Sequence, residues 1–390
     1  MIPYGKQNIS EEDIEAVVKV LRSDFLTQGP ILLQFEKAIS DYTNATHCVV
    51  VNSATSALHI SMLSLGVVPG DVVWTTPISF VATSNAALYC GADVDFVDIC
   101  PDTFNMDMGA LETKLKQAEA SGRLPKVVVP VHLTGRSCDM RTLFALREIY
   151  GFKIIEDAAH AIGANYGGKP VGSCTYSDLC VFSFHPVKII TTGEGGAVTT
   201  NDPAVARKLA ALRSHGITRD PAEMEHCDGP WYYEQHSLGF NYRMTEIQAA
   251  LGLSQMSRLD VFVTRRRELA ERYDRILSDS NFLRPARDLD DNQSSWHLYV
   301  IRLEDDSDPL ARRQLFEKLR SDGIGVNVHY IPITRQPYYR KLGFDPLQFP
   351  AAEAYYEAAI SLPLYYDMTD CQQDTVMQSL MDPTGYQTIF

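Results

Sequence analysis

In the stretch SFHPVKIITTGEGGAVTTN, Ser183 to Asn201, a single lysine, Lys188, stands between the apolar run LCVFSF, Leu179 to Phe184, and a glycine turn. A lysine so flanked has little access to bulk water: it snorkels, pairs with a carboxylate such as Glu194, or does chemistry. An amine with a pKa of about 10.4 is neutral in only about one molecule in 2,500 at pH 7, so a nucleophilic lysine must be depressed by burial or linked as an imine. The apolar neighbourhood supplies the burial, and an interior pair with Glu194 is the structural alternative. A second polar residue at the end of an apolar run is Asp157, in IIEDAAHAIG. A buried carboxylate needs a partner, which a pyridinium N–H or an arginine would provide. A third site is NSATSALHI, Asn52 to Ile60, where a strand-like run turns into a helix that opens on Ala54 and Thr55. Free N–H groups and hydroxyls there suit a phosphate, although any helix needs a cap. A fourth, GFNYRMTEIQAALG, opens another helix, and its Asn241 and Arg243 could cap it or reach a phosphate across a subunit interface.

Taken one at a time, each feature has a structural explanation. A phosphate pocket, a strand-end aspartate and a buried lysine 31 positions after it are together the three handles of pyridoxal 5'-phosphate: phosphate, ring nitrogen and aldehyde. Asp157 and His160 at i, i+3 spacing, joined by His132 or His185, would be the start of a metal site, but the third ligand at tight spacing is missing and no metal is expected.

Elements of alternating kind must carry these residues. Ser10 and Asp13 resemble a capping box, and Ile14, Val17, Val18 and Leu21 follow at helical spacing, which predicts a helix over 11–22. Beyond LTQGP, short apolar runs (HCVVVNS, VVWTTP, DVDFVDI, KVVVPVH, KIIED, LCVFSF, GAVTTN) alternate with helical patterns. Such continuous apolar strands indicate a mostly parallel sheet covered on both faces, an α/β architecture in which ligands gather at the strands' carboxyl ends. The pattern from Asn241 to about Ser280 is helical throughout. After it, HLYVIRL, LARRQLFEKLRSDG and GVNVHYIPI read as a second, strand-bearing unit. The expected division is a large cofactor-binding domain over 1–255, with the N-terminal segment, and a smaller C-terminal α/β domain over 256–390.

With 390 residues, 45% of them hydrophobic, the chain can bury a large core. A formal charge of -14, a pI near 5.2 and the lack of any basic block argue against nucleic acid and anionic membrane as partners. No apolar run approaches the roughly 18 residues of a membrane span, and the first residues show no apolar targeting segment, so a cytoplasmic protein is expected. The eight cysteines form no CxxC pair, which suits reduced thiols better than a zinc ribbon or a disulfide frame.

From LTQGP through NSATSAL, TTPISFVATSN, EDAAHAIGA, FSFHPVKIITTGEGG, RSHG, NYRMTEIQAALGLSQ and VHYIPI to ISLPL, nearly the whole chain resembles the DegT/DnrJ/EryC1/StrS sugar aminotransferases, which are fold-type I pyridoxal-phosphate enzymes. TTPISFVAT, SFHPVKIITTGEGGAVTTND and RSHG resemble most the subgroup of pseudaminic acid biosynthesis. The resemblance implies that Lys188 carries the cofactor and shuttles protons, that Asp157 meets the pyridine nitrogen, and that Phe80 stacks on the ring. It assigns Ala54, Thr55 and Ser183 to the phosphate, and Asn241 to the phosphate of the neighbouring subunit in a homodimer with shared active sites. Many relatives carry glutamine at position 160; His160 matches the subgroup and could bond the cofactor's ring hydroxyl. Tyr4, the segment Asp24, Phe25, Leu26 and Thr27, and the segment Asn327, Val328, His329 and Tyr330 are implied around the sugar nucleotide, while His185 and His215 read as structural.

The implied reaction moves an amino group from L-glutamate, leaving 2-oxoglutarate, to the 4-keto group of a UDP-4-keto-6-deoxy-N-acetyl sugar, with pyridoxamine phosphate as the form between the halves. The expected product is UDP-4-amino-4,6-dideoxy-N-acetyl-β-L-altrosamine. Relatives that form perosamine, bacillosamine or 4-amino-arabinose precursors are alternatives, as is a non-catalytic regulatory protein. Sugar dehydratases of this fold have lost the lysine, which is present here.

Overall fold

The computed structural model describes residues 1–278, 280, 282–283, 291–303 and 310–382. Helices α1 (Glu11–Leu21) and α2 (Pro30–Thr43) precede an alternating series: β1 (His47–Val51), α3 (Ala54–Ser64), β2 (Val72–Thr75), α4 (Ala82–Tyr89), β3 (Asp93–Phe96), α5 (Met108–Ala120), β4 (Val127–Val128), α6 (Met140–Tyr150) and β5 (Lys153–Asp157). A hairpin of β6 (Asn165–Tyr166) and β7 (Lys169–Pro170) leads to β8 (Leu179–Ser183), β9 (Gly196–Thr200) and α7 (Pro203–Arg213). Ser10 and Asp13 do form a capping box at the head of α1.

Seven strands make one sheet in the order β1-β9-β8-β5-β4-β2-β3. Four of the neighbouring pairs are parallel, and β9 runs antiparallel to both β1 and β8. The exception has a simple cause. Parallel neighbours need a long crossover, whereas the 12 residues of 184–195 that join β8 to β9 form a folded-back loop, which permits only antiparallel return. Phe184 N–H bonds the Gly195 carbonyl and Thr192 N–H bonds the Phe184 carbonyl, closing that loop at its base. Lys188 sits on it.

Alternate strand residues enter different cores. Val49, Val51 and Val181 join one buried cluster, and Cys48, Val50, Cys180 and Phe182 join another, so both faces of the sheet are covered and apolar. This is why the strands read as unbroken apolar runs.

A two-stranded ribbon, β10 (Ile217–Thr218) and β11 (Glu234–Gln235), precedes α8 (Glu246–Met256) and α9 (Leu259–Ile276). The single helical stretch expected from Asn241 onward is therefore two helices, broken at Ser257 and Arg258, and its first residues are not helical. A capping box of Thr245 and Gln248 starts α8. The C-terminal part contains β12 (Phe282–Leu283), β13 (Asn292–Gln293), β14 (Tyr299–Leu303), α10 (Ala311–Ser321), α11 (Pro337–Lys341), α12 (Pro350–Ala358), β15 (Ala359–Leu362) and α13 (Asp370–Met381). Strands β12, β14 and β15 form an antiparallel sheet, and β13 extends the β6–β7 hairpin. GVNVHYIPI supplies no strand; Asn327 makes one isolated bridge, to Ser361.

The C-terminal part has its own core around Tyr273, Tyr299, Leu315 and Met377, which also receives Ile2 from the N-terminus. The other face of β14, through Leu298 and Val300, belongs to the core of the large sheet. Among the described residues, no helix is long and apolar enough to cross a membrane.

Candidate active site

The carboxyl ends of β1, β5 and β8 open on one cavity of about 550 Å³, within the usual range for small-molecule sites. From β1 the chain turns at Ser53, whose hydroxyl accepts the Ser56 N–H at 3.1 Å and caps α3. The first two N–H groups of that helix, from Ala54 and Thr55, have no partner within the helix, as at any helix start, and their residues line the cavity. Strand β9 passes directly beneath. A Cβ built on Gly196 would lie 2.7 Å from the Ala54 nitrogen, so only glycine lets the strand approach the head of α3 so closely. The result is an anion cradle to which Ser183, the last residue of β8, adds a hydroxyl.

Asp157 ends β5 and is buried. Its Oδ1 accepts the Ala159 N–H at 3.1 Å and its Oδ2 accepts the Thr83 hydroxyl at 2.6 Å. Lys188 lines the same cavity, and its amine makes no hydrogen bond or ion pair among the described residues. The pairing with Glu194 does not form: Glu194 stands at the exposed edge of the same cavity without an ion pair to the lysine among the described residues, and its backbone carbonyl, which accepts from Thr192 Oγ1 and Gln248 Nε2, anchors the loop. Burial pushes the Lys188 amine down to about 8, with Asp157 opposing the shift.

Three histidines surround the lysine. Burial and the Lys188 charge hold His160 well below the usual imidazole range, and burial with His160 and Lys188 does the same to His297. Burial lowers His329 to about 4. All three are therefore neutral near pH 7. His160 Nε2 lies 3.1 Å from the Tyr330 hydroxyl, its ring stands 4.3 Å from that of His297, and its Nδ1 is buried without a partner. His329 Nδ1 lies 2.8 Å from Ser361 Oγ. Phe80, at the rim, is 59% exposed, and its ring centroid is 6.3 Å from that of Tyr330. Tyr4 reaches the cavity because residues 2–4 run against Gly325, where a Cβ would lie 2.8 Å from the Ile2 carbonyl oxygen.

The fold thus gathers Tyr4, Ala54, Thr55, Phe80, Asp157, His160, Ser183, Lys188, Asn327, Val328, His329 and Tyr330 around one space. Five expected residues do not line it. Asp24, Phe25, Leu26 and Thr27 form an exposed segment fastened to the start of α8 by a Thr27–Thr245 bridge and by Glu246 N–H on the Leu26 carbonyl. Asn241 is exposed, bridged to Ser214. His185 lines the cavity, whereas His215 lies outside it, with a φ of 62° and its carbonyl bonded by Gln235. The sequence reading missed Ser79, Thr83 and His297. Thr83 follows Phe80 by one helical turn in FVAT, a signal that was available; His297 comes from the far end of the chain and had none. Among the described residues no three His, Cys, Asp or Glu side chains converge on one point, and His132 Nε2 instead lies 2.7 Å from the Glu156 carboxylate.

Pyridoxal phosphate fits these donors. The α3 cradle below Gly196 suits a dianion, the Asp157 carboxylate suits a pyridinium N–H, and the unpaired Lys188 amine suits an aldehyde.

The comparisons with known proteins agree with that chemistry. The model of the DegT/DnrJ/EryC1/StrS aminotransferase family matches residues 7–381. The spore coat polysaccharide biosynthesis protein SpsC of Bacillus subtilis is 38% identical over 98% of this chain and 96% of its own. A UDP-4-amino-4,6-dideoxy-N-acetyl-beta-L-altrosamine transaminase of Campylobacter jejuni is 39% identical over 94% of this chain and 93% of its own. The structure of a putative sugar aminotransferase from Streptococcus pneumoniae in its PMP form superposes with a TM-score of 0.89 at 33% identity, covering 97% of this chain and 98% of that one. Helicobacter pylori PseC, an aminotransferase involved in the biosynthesis of pseudoaminic acid, gives 0.88 at 35% identity with the same coverage. With this extent of agreement in sequence, fold and site, the chain belongs to the DegT/DnrJ/EryC1/StrS aminotransferase family of pyridoxal-phosphate enzymes.

Proposed function

We propose that the protein transfers an amino group from L-glutamate to the C4 keto group of a UDP-linked 4-keto-6-deoxy-N-acetylhexose, yielding UDP-4-amino-4,6-dideoxy-N-acetyl-β-L-altrosamine and 2-oxoglutarate. One observation carries the chemistry: an unpaired lysine amine, a buried and doubly bonded aspartate and an open helix N-terminus face one cavity at the strand ends. The similarity to the Campylobacter jejuni and Helicobacter pylori proteins supports this sugar over others. Bound pyridoxal phosphate supplies the electron sink that makes the donor's α-proton acidic.

The chain's own residues do the rest. Ala54, Thr55 and Ser183 bind the phosphate. Asp157, an acceptor only while ionised, orients the ring and holds a proton on its nitrogen. With a pKa of about 8, Lys188 is neutral in about one molecule in ten at pH 7, roughly two hundred times more often than an ordinary lysine. Its Nζ takes the proton from the glutamate α-carbon in the first half and delivers one to the sugar C4 in the second. Neutral His160, His297 and His329 line the cavity without adding charge near that amine. Asn241 serves the neighbouring subunit's phosphate in a homodimer, and Tyr4, residues 24–27 and residues 327–330 contact the nucleotide sugar.

The test is to incubate purified protein with L-glutamate and a panel of nucleotide 4-ketosugars and to identify the aminated sugar by NMR. Formation of the altrosamine product, lost in Lys188→Ala, is expected. Amination of a different ketosugar only would replace the substrate and leave the transaminase; no amination of any would remove both.

A further inference from the structure

Asp157 does not meet the cavity as a bare carboxylate. The Thr83 hydroxyl that reaches its Oδ2 at 2.6 Å is also 2.7 Å from Ser79 Oγ and 3.2 Å from the Phe80 carbonyl oxygen. One hydroxyl has one proton to give. An ionised carboxylate can only accept, so the Thr83 proton goes to Asp157, and the Ser79 hydroxyl donates in turn to Thr83 Oγ1. Both residues are buried in the cavity wall, with little of their surface open to solvent. The donors therefore form a directed chain, Ser79 to Thr83 to Asp157, in which each bond polarises the next.

The helix that carries the chain is itself pinned. Immediately after Thr83, Ser84 Oγ lies 2.6 Å from the Tyr339 hydroxyl, and that hydroxyl donates to Asn85 Oδ1 at 2.6 Å. Tyr339 belongs to α11, so the start of α4 is held between the large sheet and the C-terminal part. A hydroxyl on so fixed a turn can set the direction of the carboxylate it bonds.

The geometry points to Thr83, supported by Ser79, as the positioning residue of Asp157: its hydrogen bond fixes the carboxylate's orientation and turns its free lone pairs toward the cavity. This rests on the reading of Asp157 as the partner of the cofactor ring. Charge-assisted bonds to a carboxylate are the strong ones, and taking the donor away leaves a buried acceptor unsatisfied.

The experiment is a double-mutant cycle on the dissociation constant for pyridoxal phosphate, measured by equilibrium dialysis with the visible band of the bound cofactor recorded alongside. Thr83→Val, which keeps the shape and removes the donor, weakens binding at least about tenfold. Thr83→Ser, which keeps the donor, stays within about threefold of wild type. In an Asp157→Ala background, Thr83→Val changes the constant by less than about twofold, because the partner is gone. Equal losses in both backgrounds, or a serine variant as weak as the valine one, would overturn the proposal, since either would mean that Thr83 matters only for packing. If Asp157→Ala binds as tightly as wild type, the role of Asp157 falls first and the proposal with it, and the two failures are told apart by that single constant. Should Thr83→Val not fold, Ser79→Ala enters the same cycle with an expected loss of about two- to fivefold that vanishes without Asp157.

Discussion

Lys188 shows how one residue can be both a liability to the fold and the centre of the chemistry. Its folded pKa of about 8 lies below the ordinary lysine value, so below pH 8 the folded state carries a charge that the unfolded chain bears at lower cost. The sign follows. Between about pH 8 and 10.4 the unfolded chain binds more protons, so the cofactor-free protein gains stability as pH rises through that window. Lys188→Met is expected to stabilise the cofactor-free protein by about 1–3 kcal/mol at pH 7, an advantage that fades by pH 10.4, as read from thermal melts at the two pH values. The same variant loses transamination by at least about a thousandfold, since neither half-reaction keeps its proton carrier. A destabilised protein, or one still active, would contradict the assignment. The rate at which an amine-reactive reagent labels Lys188 should also rise with a midpoint near pH 8, well before the surface lysines.

At the scale of elements, the anion cradle depends on how closely β9 runs under α3. Gly196→Ala would push a methyl to 2.7 Å from the Ala54 nitrogen and 2.7 Å from the Ser53 carbonyl carbon, both backbone atoms that cannot swing aside. The expected cost is about 1–3 kcal/mol of stability together with weaker phosphate binding, measured by denaturant titration and by cofactor dialysis. A fully stable variant with wild-type affinity would mean that the cradle adapts. Helix α8 has a comparable role on the other side of the site. The buried Glu246 carboxylate accepts the Ile31 and Leu32 N–H groups at 2.8 and 3.0 Å, capping α2, and Gln248 holds the Glu194 carbonyl of the lysine loop at 2.7 Å. Glu246→Ala should destabilise the protein by about 1–3 kcal/mol, because two N–H groups at a helix start lose their acceptor. These ties connect the 24–27 segment and the lysine loop to one helical turn.

At the scale of the whole molecule, a single chain leaves Asn241 and the 24–27 segment outside the cavity, with Phe25 and Leu26 about half exposed. Exposed apolar side chains beside residues expected at the site are what a shared interface would cover. If Asn241 serves the neighbour, Lys188→Ala and Asn241→Ala proteins, each weak or inactive alone, should complement when mixed and allowed to exchange subunits. Each mixed dimer then has one site with both residues intact, so random pairing restores about one quarter of wild-type activity. No recovery, despite mixed dimers detected by native mass spectrometry, would place Asn241 and Lys188 in the same chain's site.

Local signals were enough for the alternating architecture and for the positions of Asp157, Lys188 and the start of α3. Buried strands must be apolar throughout, caps need particular side chains, and a charged group at the end of an apolar run stands out against both rules. What the sequence could not show is whatever depends on residues distant along the chain. The antiparallel course of β9, the break between α8 and α9, and the placing of GVNVHYIPI against the cavity without forming a strand were decided by packing. The alternative pairing of Lys188 with Glu194 does not form although both residues line the cavity, because the loop buries the amine and leaves the glutamate exposed. His297 and Tyr4 reach the site only through contacts between segments distant in sequence, as where residues 2–4 run against Gly325. Periodicity and capping act over a few residues, whereas burial, the lowered Lys188 pKa and the neutrality of three neighbouring histidines are properties of a cavity that exists only once all those segments have come together.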